Sequence, residues 1–130
     1  MNLDARLRWP FLVVPALLVL IYGMLSYISL ADQSFFYESM EIPVPENEFL
    51  LWSWGGKNSA MLAVLVLGIA SRRALPVLIA MAMLLVGQFG DINAGAQSGV
   101  NVFVTYIALA LVVVQLGLLF FGGALRDDDV

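Results

Sequence analysis

Apolar residues run along this chain in four long blocks separated by short polar breaks. A helix that crosses a bilayer needs about 20 mostly apolar residues, and each block is close to that length. The first spans Trp9 to Ala31 without a charge, which predicts a helix over about 9–31. It is too long for the apolar region of a signal peptide, and no small-residue cleavage site follows it. The second block predicts a helix over about 49–70, apolar except for Lys57 and its neighbour Asn58. The third predicts a helix over about 74–92, with Pro76 in the first turn, where a missing N–H does no harm. The fourth predicts a helix over about 102–123.

The breaks differ in character. Residues 32–48 are acidic, with Asp32, Glu38, Glu41, Glu46 and Glu48, and Pro43 and Pro45 prevent a regular helix through the second half. Phe35, Phe36 and Tyr37 in that segment read as an interfacial aromatic group. Arg72 and Arg73 mark a very short turn, so the second and third helices form an antiparallel hairpin. Asn93–Gly99 is rich in Gly, Asn, Gln and Ser and reads as a loop. The tail, residues 124–130, carries Arg126-Asp127-Asp128-Asp129 and is expected to be solvated.

Composition agrees with the pattern. Of 130 residues, 62% are hydrophobic and 12% charged, against about 45–50% and about 25% in soluble domains. The expectation is one domain over 1–130: an all-α, polytopic membrane four-helix bundle. Arg6 and Arg8 precede the first helix, Arg72 and Arg73 join the second to the third, and Arg126 follows the fourth. All five arginines therefore fall on one side of a four-pass chain. The positive-inside rule makes that side the cytoplasm, with both termini inside.

There is no Cys and no His. Disulfides, thiol nucleophiles, iron–sulfur clusters, His-ligated haem and an imidazole base are therefore excluded. No metal site and no cofactor are expected. The net charge of −4 offers no basic surface to a nucleic acid. The expected partners are the lipid bilayer and either a protein partner or a second copy of the chain.

An ionisable residue inside a membrane span is a functional-site hypothesis by default, and Lys57 is the clear case. Counted from the Arg72–Arg73 turn, Lys57 lies about 20 Å up the second helix and Asp91 about 26 Å up the third. A Lys stem can snorkel outward by several ångströms, so the two charges can meet in the outer half of the membrane. Gln88 lies one turn below Asp91, level with the Lys57 backbone. Tyr22, Ser26 and Ser29 share one face of the first helix at similar depth. Thr105 lies in the outer half of the fourth helix and Gln115 deeper. The functional reading is a polar pocket in the outer half, formed by Lys57, Asp91, Gln88, Asn58, Tyr22 and Ser26. The plainer reading is that Lys57 reaches the headgroups, Asp91 caps a loop and the hydroxyls bond back to their own helices.

The second helix also carries small residues on adjacent faces: Gly55, Ser59 and Ala63, with Gly56 and Ala60. Small residues at this spacing let helices approach closely. Trp9 at one boundary and Trp52 and Trp54 at the other read as interfacial anchors, although Trp54, one turn before Lys57, can instead wall the polar pocket.

The run Trp54-Gly55-Gly56-Lys57-Asn58, the basic turn Ser71-Arg72-Arg73-Ala74-Leu75, and Gly90-Asp91 together resemble small bacterial four-helix membrane proteins, loosely DoxX-like. The resemblance covers about residues 52–93. It implies a four-helix bundle in a bacterial plasma membrane and points to Lys57, Asn58 and Asp91 as the family's polar positions. It implies no particular chemistry. Three functions are therefore weighed: a non-enzymatic accessory or self-associating module, a small-molecule binding or transport protein using the Lys57–Asp91 site, and a lipid- or quinone-directed enzyme. The third has only Asp91, Lys57, Tyr22, Glu38 and Glu41 as acid–base groups, so no catalytic residue is assigned.

Overall fold

The computed structural model describes residues 5–31, 48–98, 102–123 and 125. The expected aromatic group at 35–37, the acidic residues between Asp32 and Glu46, and the tail from Arg126 lie outside the described residues. Among the described residues all regular structure is helical. A short 3-10 turn, Ala5–Leu7, leads into α1, Arg8–Ala31. Then come α2, Glu48–Ala70, α3, Ala74–Ser98, and α4, Phe103–Phe121. Three segments are long and apolar enough to cross a membrane: Ala5–Ala31, Ala74–Gln97 and Phe103–Phe121. The remaining helix, α2, has 23 residues, and Lys57 and Asn58 give its first half a more polar character.

The third helix differs from expectation. It does not end at Ile92 but runs through the supposed loop to Ser98. Residues 93–98 contain two alanines and no proline. One Gly costs a helix only about 1 kcal/mol, while leaving the helix would strand backbone polar groups near the apolar boundary. Gln97 Nε2 also donates to Asn93 Oδ1 one turn earlier, at 3.4 Å. Asp91 therefore lies within a helix and caps no loop.

The helices pack in ring order: α1 and α3 each contact both α2 and α4. The interior combines apolar side chains such as Leu18, Leu65, Leu84 and Val112 with polar ones: Gln115, Asn58 and Gln88 are only 0%, 1% and 2% exposed. The outer surface is the reverse, with Val86 at 73%, Leu67 at 70% and Leu20 at 68%. A chain that hides amides and displays large aliphatic side chains has its hydrophobic surface matched to lipid. Exposed aromatics cluster towards the helix ends, Tyr27, Trp52, Phe103 and Tyr106 at one and Trp9, Phe120 and Phe121 at the other, as interfacial anchors do.

Two glycines set how closely α2 approaches its neighbours. A Cβ on Gly55 would lie 2.8 Å from Leu30 Cδ2 and 2.9 Å from Ser29 Cβ, so α1 and α2 touch nearly backbone to backbone there. A Cβ on Gly68 would lie 3.1 Å from the Pro76 carbonyl oxygen and 3.3 Å from Ala80 Cβ, which draws α3 close at the opposite end. The α2–α3 turn is closed by Ser71, whose Oγ donates to the Gly68 carbonyl at 2.6 Å and accepts from the Arg73 N–H at 3.2 Å.

Pro15 lies within α1 and is buried. It has no N–H to donate to the Phe11 carbonyl one turn back. Gln115 of α4, fully buried, supplies the missing donor: its Nε2 reaches the Phe11 oxygen at 3.4 Å.

Candidate functional site

The polar side chains of the first three helices converge at one level. Lys57 Nζ on α2 forms an ion pair with Asp91 Oδ1 on α3. The pair is neither sealed nor free: the side chains are 32% and 19% exposed. Asp91 is held at the right height because α3 continues past it, and Lys57 because the short turn at Ser71–Arg73 fixes the register of the hairpin.

Gln88 stands one turn below Asp91 and is buried. Its Nε2 donates to the Tyr22 hydroxyl oxygen. Tyr22 belongs to α1, across the ring from α3, so this bond spans the interior. Ammonium, carboxylate, phenol and amide thus form one polar cluster drawn from three helices.

Two buried groups in this region have no hydrogen-bond partner, Asn58 Nδ2 and Ser26 Oγ. The Gly55 contact pairs that end of α2 with Ser29 and Leu30 of α1. One antiparallel turn further in, Asn58 comes level with Ser26. Ser29 bonds to its own helix, its Oγ donating to the Leu25 carbonyl at 2.5 Å, and Ser59 Oγ donates likewise to the Gly55 carbonyl at 2.8 Å. Thr105 of α4 is buried. Trp54, one turn before Lys57, is half-buried.

Small residues of α2 divide between two faces. Gly55 packs against α1, whereas Gly56, Ala60 and Ala63 are exposed, and a Cβ on Gly56 would meet nothing within 4 Å. Two relationships went unread in the sequence. One is the Tyr22–Gln88 bond, whose signal was available: each residue lies about 21 Å from the first residue of its helix. The other is the service Gln115 gives to Pro15. A proline inside a span signals a free carbonyl, but the helix that answers it depends on packing.

With one carboxylate, one ammonium, a phenol and two amides, the cluster can hold a charge pair and bind a polar molecule through hydrogen bonds. Compared with protein-family models, curated proteins and solved structures, the chain matches none.

Proposed function

We propose that this chain is a non-enzymatic membrane module: a four-helix bundle that associates with a protein partner or a second copy through the outer face of α2. The observation that carries the reading is the stripe Gly56, Ala60 and Ala63, which is exposed and faces away from the other described helices. Small residues on a lipid-facing surface let another helix approach closely. In this reading the Lys57–Asp91 pair and the Tyr22–Gln88 bond are the internal lock that fixes the register of α1, α2 and α3, so that the outer face is presented rigidly. Both termini lie in the cytoplasm, as the arginine distribution directs. The DoxX-like resemblance, and with it a bacterial plasma membrane, belongs to the same proposal.

Purification in mild detergent tests it. A stoichiometric protein partner or a stable homo-oligomer is expected, and Gly56→Leu or Ala60→Leu should disperse it without lowering the melting temperature of the chain. A monodisperse monomer in mild detergent and in bilayers ends the reading. The orientation is tested separately. A cysteine at Ser34 or Ser98 should react with an impermeant thiol reagent outside intact cells, and one at Ser71 should not.

A second reading is favoured by the unpartnered Asn58 Nδ2 and Ser26 Oγ: the cluster binds a small polar molecule. Co-purification of such a molecule, lost in Asn58→Leu, would favour it over a purely structural lock.

A further inference from the structure

The opposite end of the molecule carries a different feature. A groove of about 1030 Å³ runs between α1 and α2, reaching the start of α3, with Pro15, Val19, Val66 and Ile69 among its lining and Arg8 and Arg72 at its mouth. Along α1 it extends from Arg8 to Leu20, a rise of about 18 Å. One leaflet contributes about half of the roughly 30 Å hydrocarbon core. The groove therefore has the depth of a single leaflet and stops near the midplane. A transmembrane helix would cross both leaflets, whereas a lipid chain ends where this groove does.

The charge at the mouth completes the match. Arg8 and Arg72 lie far apart in sequence yet line one opening, and both are exposed. Arg72 is also the one non-glycine residue with left-handed backbone among the described residues, at φ 54°. Glycine is the default residue there. An arginine held in a conformation that disfavours side chains points to a use for that side chain. Guanidinium groups bind phosphate through paired hydrogen bonds, and basic pockets between spans hold anionic headgroups.

We propose that this groove is a binding site for an anionic phospholipid, with the phosphate between Arg8 and Arg72 and an acyl chain along Pro15, Val19 and Val66. The proposal rests on the apolar helices lying in a membrane, and not on which side the arginines face or on what the α2 outer face contacts.

Trp9, beside Arg8 and 77% exposed, serves as the reporter. The full chain carrying Trp52→Phe and Trp54→Phe is reconstituted into phosphatidylcholine vesicles containing chain-brominated phosphatidylglycerol, or the same fraction of chain-brominated phosphatidylcholine. Flotation with the vesicles comes first; a chain that does not insert fails the membrane reading and takes the proposal with it. Inserted protein should be quenched preferentially by the brominated anionic lipid. The preference should be about fivefold for each arginine that contacts the headgroup. Arg8→Gln should remove one such factor, and Arg73→Gln, exposed but outside the groove lining, only a smaller part. Arg72→Gly is the sharpest variant: it gives the turn the residue its backbone favours, so the chain should melt no lower, yet the preference should fall about fivefold. Ala16→Phe, which fills the groove and leaves the arginines, should reduce quenching by the anionic lipid. Equal quenching by both lipids, an unchanged preference in Arg72→Gly or Ala16→Phe, or an equal loss in Arg73→Gln would each overturn the proposal, the last by assigning the effect to general surface charge.

Discussion

Gln115 on α4 answers Pro15 on α1. The proline removes an N–H from the first helix, and the glutamine side chain donates in its place to the Phe11 carbonyl at 3.4 Å. In water such a carbonyl would hydrate, and the glutamine would be optional. Inside a span there is no water to accept from, so a free carbonyl must find a protein donor. The pair joins the only proline in the middle of a described helix to a fully buried amide. It also ties α1 to α4 at the end opposite the Lys57 cluster.

This relationship yields a conditional prediction. Gln115→Leu should destabilise the chain by about 1–2 kcal/mol, within the cost of a buried unsatisfied carbonyl and near the upper end of interhelical hydrogen bonds in membranes. In a Pro15→Ala background the helix regains its own N–H. There Gln115→Leu should cost less than half as much, or stabilise the chain by removing an amide whose Oε1 has no partner. Thermal melting of the four proteins in one detergent measures the cycle. Equal costs in both backgrounds would sever Gln115 from Pro15.

The ion pair gives a second cycle. Breaking a buried pair from one side costs about 3–5 kcal/mol, and an exposed pair contributes about 0–1 kcal/mol. Lys57 is a third exposed and Asp91 a fifth, so Lys57→Met and Asp91→Asn should each cost about 1–3 kcal/mol, between those limits. The double variant should be milder than the sum of the two, because neither charge is then left alone. Purely additive losses, read from the same melting experiment, would mean that the two residues act independently.

How much of this was legible follows from the kind of information each feature needs. Helix positions and the level of Lys57 against Asp91 came from apolar length and a fixed rise per residue, which are local quantities. The end of α3 was misplaced because Gly, Asn, Gln and Ser signal a loop in water. At Asn93–Ser98 an existing helix continues through them instead. The face of each helix was the weaker inference. Gly55 and Gly56 are neighbours in sequence, yet one is closed by α1 and the other open. Small residues on both faces of α2 left the periodicity unable to choose. The groove at Arg8 and Arg72 needed three elements placed together, and no single stretch of sequence announces it.

The bond between Tyr22 and Gln88 predicts an asymmetry of its own. Tyr22→Phe keeps the ring in the core and removes the acceptor, leaving Gln88 Nε2 buried without a partner. That should cost about 1–3 kcal/mol. Adding Gln88→Met removes the orphaned donor at similar volume and should recover most of the loss. If Tyr22→Phe alone melts like the parent chain, the amide has another acceptor and the bridge across the ring contributes little.

The adjacent glycines separate internal packing from association. Gly55→Ala places a methyl within 2.9 Å of Ser29 Cβ and 2.8 Å of Leu30 Cδ2. Leu30 can swing aside, but Ser29 Cβ is fixed to the α1 backbone, so the helices must move apart. Overpacking of this kind costs about 1–3 kcal/mol, and Gly55→Leu should prevent folding. Gly56→Ala meets nothing within 4 Å. It should be neutral or stabilise the chain by up to about 1 kcal/mol, since alanine is the better helix former. Gly56→Leu should likewise leave the melting of the isolated chain unchanged while abolishing, on a sizing column, the association proposed for this face. The two readouts must diverge at these neighbouring positions: melting falls for Gly55 and holds for Gly56, whereas assembly is lost for Gly56 in a folded chain. If Gly56→Leu lowers the melting temperature as Gly55→Ala does, that face of α2 packs inside the chain and is not an outer contact surface.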